Sequence, residues 1–163
     1  MLLAAGSVAA LAPMGRGLSS DTTTSCTAPS LAGQQVQVAL ADMGGTGGMM
    51  GGRLLLRVAP RTVAAGTVSF IAANHGVRIH ELLVLALPDD QAAGSRPVSA
   101  EKTVDETGSL GEASRSCGAG HGDGITRGQA GWVTLTLRPG RYELLCNQPG
   151  HYVAGMFSEL DVT

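Results

Sequence analysis

"RYELLCNQPGHYVAGMF", residues 141–157, contains both a strand and the loop that ends it. Tyr142, Leu144 and Cys146 alternate with Arg141, Glu143 and Leu145, the period of two that sends successive side chains to opposite faces of a sheet. Cys146 therefore falls on the apolar side. Pro149 and Gly150 then stop the strand, and Gly155 permits a tight bend before the next one. His151 and Met156 lie on the intervening loop, so a thiol, an imidazole and a thioether recur at intervals of five residues on a turn able to bring them together.

The same alternation extends outward along the chain. In "QQVQVALAD" (34–42), Val36, Val38 and Leu40 alternate with Gln35, Gln37 and Ala39. Comparable runs are "RLLLRV" (53–58), "TVSFIAAN" (67–74), "HELLVLAL" (80–87), "WVTLTL" (132–137) and "MFSELDV" (156–162). Turn-forming residues separate most of them, in "APRTVAAG", "NHG", "LPDD" and "RPG". No stretch keeps a helical period, and no internal repeat is present. The 24 glycines and seven prolines fit short strands joined by turns. Residues 91–128 form a polar, Gly/Ser-rich excursion with room for a short strand or helix near "SAEKTVDE". The expectation is an all-β fold of seven or eight short antiparallel strands, a sandwich or small barrel, in one domain over residues 34–163.

Composition removes several functions. A formal net charge of −2, with no block of basic residues, gives no footprint for nucleic acid or an anionic membrane. "MLLAAGSVAALAPMG" has the length of a signal-peptide core rather than of a membrane span, so residues 1–18 read as a leader and 19–33 as a flexible linker. Its first basic residue, Arg16, follows the apolar run instead of preceding it. A lipid anchor at Cys26 is disfavoured by Thr23, where lipid attachment sites carry an aliphatic residue. An exported protein is expected, at the periplasmic or extracellular face of the membrane.

Taken singly, a strand cysteine packs as a small hydrophobe, a methionine beside a phenylalanine belongs to the core, and a histidine after Pro-Gly is a surface residue. Together, thiolate, imidazole and thioether suit copper, and one more imidazole completes the trigonal set with a weak axial Met used for electron transfer. Three further histidines exist. His80 opens an apolar strand after the turn "NHGVRI" and is the best candidate. His75, in the turn itself, and His121, in "GAGHGDG", are expected in solvent. Met43, Met49 and Met50 in "DMGGTGGMMGG" offer soft thioethers, which packing and a flexible Gly-rich segment explain as well.

"YELLCNQPGHYVAGMF" and, upstream, "VAAGTVSFIAANHGVRIHELLVL" resemble the cupredoxins, the small blue copper proteins, in particular the rusticyanin-like and sulfocyanin-like members with a Cys-x4-His-x4-Met loop. The resemblance covers about residues 34–163 with a weak middle. It implies a Greek-key β-sandwich holding one type 1 copper, with His80, Cys146 and His151 as equatorial ligands and Met156 as the axial one. It further implies a single-electron carrier, not an enzyme. Many members place an Asn after the first His ligand, where this chain has Glu81; Glu81 or Asn147 is expected to tie the ligand segments together instead.

With Cys146 assigned to copper, Cys26 and Cys117 remain as a candidate disulfide, provided their Cα atoms come within about 7 Å. A monomer is expected, docking redox partners near His151 through Val153, Ala154 and Phe157. A copper storage or delivery protein, or a copper subunit of a larger oxidase or reductase, is the alternative. The second copper centre of such an enzyme needs several imidazoles, and only His75 and His121 would be left. A binuclear electron-entry site needs two cysteines on the loop, which has one.

Overall fold

A computed structural model describes residues 26–43 and 53–163. The leader at 1–18, the linker up to residue 25, and Met49 and Met50 lie outside these residues, as does the side chain of Met43. Ten strands and no helix are found among the described residues: β1 (Gln34–Met43), β2 (Arg53–Ala59), β3 (Thr62–Val63), β4 (Gly66–Asn74), β5 (Leu82–Leu87), β6 (Ser109–Ala113), β7 (Gly118–Ala119), β8 (Ala130–Leu137), β9 (Gly140–Leu145) and β10 (Phe157–Val162). They form two five-stranded sheets, ordered β2-β1-β4-β8-β7 and β3-β10-β9-β5-β6.

The expectation of seven or eight antiparallel strands is corrected in two respects. The additional strands are short ones such as β3 and β7, two residues each, too brief to show an alternation. Parallel pairing also occurs, β1 with β4, β3 with β10 and β7 with β8, none of them joined by a tight hairpin turn. A side-chain period of two is the same in either orientation, so alternation cannot reveal the direction of pairing.

The main core lies between the sheets. Val36, Val38 and Leu40 of β1 meet Leu82 and Val84 of β5 and Tyr142 and Leu144 of β9 in one buried cluster. β5 is apolar on its other face as well, where Leu83 and Leu85 pack with Leu145 of β9, Val104 and Tyr152, while β9 adds the buried Glu143 to that face. An antiparallel sheet with one wet face would put polar residues there. The polar excursion is what supplies the cover: Val104 packs into this second cluster, and Gly94 and Arg96 hydrogen-bond to Glu143 on β9. Near "SAEKTVDE" the chain forms a turn closed by an isolated Val98–Val104 bridge, and the excursion goes on into β6 and β7.

Residues 26–33 have no regular structure but are tied down. Cys26 forms a disulfide with Cys117, their Cα atoms 5.4 Å apart across 91 positions of sequence, and Ser69 Oγ donates to the Ala32 carbonyl at 2.6 Å.

Candidate metal centre

β9 delivers Cys146 to one end of the sandwich, with its side chain fully buried in the main core. The chain then folds back on itself. Cys146 N–H donates to the Met156 carbonyl at 3.0 Å, Met156 N–H to the His151 carbonyl at 3.1 Å, and His151 N–H to the Gln148 carbonyl at 2.9 Å. Gly150 and Gly155 have φ of 82° and 92°, the left-handed region where a side chain is costly. These bonds place Cys146, His151 and Met156 on one small ring of backbone. Met156 is fully buried in the same cluster as Cys146.

His80 arrives from the opposite direction, on the segment between β4 and β5. Its backbone is clamped to Ile125, N–H to carbonyl at 3.2 Å in one direction and 2.7 Å in the other. The fully buried imidazole presents Nδ1 at 3.2 Å from Nδ1 of His151 and 3.9 Å from Sγ of Cys146, while His151 Nδ1 lies 3.3 Å from that sulfur. A cation bonded at about 2.0–2.3 Å to three atoms in a trigonal arrangement holds them about 3.5 Å apart. The three separations bracket that value, so the donor set fits a single metal ion. Among the described residues this is the one such group.

Burial sets the charge of the donors. It is the main cause that pushes His151 down to about 4, helped by neighbouring His80, and it lowers His80 as well, although Asp42 opposes the shift there. Both imidazoles are thus neutral near pH 7, with a lone pair free for a metal. The Cys146 thiol is pushed up to about 12, again chiefly by burial, so without a cation it keeps its proton; a bound cation would remove it.

Around the donors, Glu81 N–H donates to Cys146 Sγ at 3.4 Å, and the Glu81 carboxylate accepts from Gln148 Nε2 at 2.9 Å. The residue after His80 thus touches the Cys146 strand and loop. Asn147 meets the Glu81 carboxylate through its backbone N–H, while its side-chain amide pairs with both backbone groups of Val104 and with Glu106, fixing the loop to the excursion. His75 and His121 are exposed, the latter paired with Glu112 at 3.0 Å. Phe157 is half-buried against the Tyr152 ring in the second cluster, away from the solvent face expected for it; its pairing with Leu145 across β9 and β10 puts it on the outer face of the sheet.

Two residues of the site are absent from the sequence reading. Asp42 Oδ1 lies 3.1 Å from His80 Nε2 and also accepts from the N–H groups of Val77 and Arg78. Burial works against its ionisation, but the hydrogen bonds from His80, Arg78 and Val77 hold it below the ordinary carboxylate range. A signal existed: Asp42 continues the inward series Val36, Val38, Leu40 and puts a carboxylate where a hydrophobe belongs. Asn74 is the other. Buried, it donates to the Arg78 and Ile125 carbonyls and accepts from Gly76 N–H, closing the turn before His80.

No protein-family model and no curated protein matches the chain. Solved structures do. Reduced auracyanin from the photosynthetic bacterium Roseiflexus castenholzii is 19% identical, with 81% of this chain aligned to 98% of that one at a TM-score of 0.51. Auracyanin B is 22% identical over 86% and 95% of the two chains, at a TM-score of 0.50. Rusticyanin from Thiobacillus ferrooxidans is 20% identical over 81% and 79%, at 0.47. The all-β sandwich of the auracyanins, the cupredoxin fold, is the fold of this chain.

Proposed function

We propose that the chain is a type 1 copper protein that carries single electrons, with His80, Cys146 and His151 as equatorial ligands and Met156 as axial ligand. One observation carries this reading: two neutral imidazoles and a thiol, all buried, converge within 3.2–3.9 Å with a buried methionine on the same loop. Thiolate and thioether select copper among the metals that two imidazoles accept. The auracyanin fold supports the same reading.

Bound there, copper would supply one-electron exchange between Cu(I) and Cu(II). The protein's part is to hold the donors still. His80 is fixed by the Ile125 clamp, Cys146 by β9 and the Glu81 N–H, and His151 by the closed loop, so a change of charge finds little freedom for the ligands to move. His151, 6% exposed, is the least buried of the four and is the electron's port. Exposed Val77 and Ile79, on the approach to His80, and Val153, on the ligand loop, supply an apolar rim for weak docking of a redox partner. Ile79 and Gln148 of the loop border the same space beside Gly124.

We further assign the chain to an oxidising compartment, outside the cytoplasm, which the Cys26–Cys117 disulfide supports.

Adding Cu(II) to the chain is expected to give an intense thiolate-to-copper visible band and narrow hyperfine splitting in electron paramagnetic resonance, both lost in Cys146→Ser. A weak tetragonal signal that survives the substitution would overturn the electron-carrier reading in favour of storage or adventitious binding.

A further inference from the structure

Behind His80, on the side away from the converging donors, stands the Asp42 carboxylate. Its side chain is 5% exposed, and a single oxygen, Oδ1, accepts from three donors: Val77 N–H at 2.7 Å, Arg78 N–H at 3.2 Å and His80 Nε2 at 3.1 Å. Gly76 makes this approach possible, since a Cβ there would overlap the carboxylate. Asn74 pins the other side of the same turn through Arg78 and Gly76.

We propose that Asp42 is the positioning residue of His80: by holding Nε2–H it fixes the imidazole in the tautomer whose Nδ1 lone pair faces Cys146 and His151. A ring that donates from Nε2 has no proton on Nδ1, the nitrogen 3.2 Å from His151. The carboxylate also makes the imidazole a stronger donor, which favours Cu(II) over Cu(I) and lowers the reduction potential. The redox consequence rests on the copper reading; the orientation of the ring does not.

The test uses Asp42→Asn and Asp42→Ala in the full chain. In the metal-free protein, nitrogen-15 spectra of the His80 ring are expected to show the Nε2–H tautomer in the native chain, retention of it in Asp42→Asn, whose amide oxygen still accepts, and a tautomer mixture in Asp42→Ala. In the copper-loaded protein, Asp42→Asn is expected to raise the potential by the equivalent of about a tenfold change in the Cu(II)/Cu(I) affinity ratio, roughly 59 mV for one electron. An Nδ1–H ring in the native chain, or the native tautomer kept intact in Asp42→Ala, would overturn the positioning role. An unchanged potential in Asp42→Asn would overturn the electrostatic one. Should Asp42→Ala fail to fold, the native chain and Asp42→Asn still decide the matter. A native chain that gives no thiolate-to-copper band sinks the copper reading and leaves the metal-free spectra to judge Asp42.

Discussion

Tyr152 follows His151 directly, and its hydroxyl connects three elements. It donates to Glu143 on β9 at 3.0 Å and accepts from Arg96 N–H of the excursion at 3.0 Å. Glu143 is fully buried, and its charge is met by Arg96 and by Gly94 N–H. Burial first of all pushes the Tyr152 hydroxyl up to about 12, so it remains a donor across the working range. Tyr152→Phe leaves a buried carboxylate one donor short and is expected to cost about 1–3 kcal/mol. A lower urea midpoint at unchanged m-value, with the copper band retained, is the expected result; an unchanged midpoint would show that the hydroxyl contributes nothing. Tyr152 and Glu143 could not be paired from sequence, because their partner Arg96 belongs to an excursion without periodicity.

At the scale of elements, the ligand loop is short, closed by its own backbone and dependent on glycine. Apart from its two chain neighbours, no residue places an atom within 4 Å of where a Cβ on Gly155 would stand, so an added methyl meets no tertiary obstacle. The cost of Gly155→Ala is therefore conformational, about 1–2 kcal/mol for a left-handed residue with a side chain. Thermal unfolding of the metal-free chain is expected at a temperature several degrees lower; an unshifted transition would mean that the loop relaxes to an ordinary φ. Loop and strand were legible because Pro149, Gly150 and Gly155 are local signals and β9 alternates. The Greek-key order was expected from resemblance alone, and the parallel β1–β4 pairing was not foreseen.

Across the whole molecule, the donors gather at one end of the sandwich and the exposed apolar side chains Val77, Ile79 and Val153 lie on the two segments that carry the imidazoles. A partner is expected to dock there with small, weak contact. Val153→Glu adds a charge to that rim without touching a ligand, and is expected to slow electron exchange with the partner while leaving the copper spectrum as it is. Equal rates would place docking elsewhere. Phe157, expected on the same surface, is instead committed to Tyr152 and the outer face of its sheet.

Alternation along β1, β4, β8 and β9 determined an all-β chain by itself, because a period of two is a property of the backbone and needs no partner. Residue chemistry likewise singled out Cys146, His151, Met156 and His80. Only the tertiary structure decided what stands behind and around them, Asp42 against His80 and Glu81 against Gln148, and whether Cys26 and Cys117, paired in expectation by cysteine count, come close enough to bond. Each of these contacts joins residues 38, 67 and 91 positions apart, respectively. Contacts of that range depend on how the two sheets are laid together, and no local pattern records it.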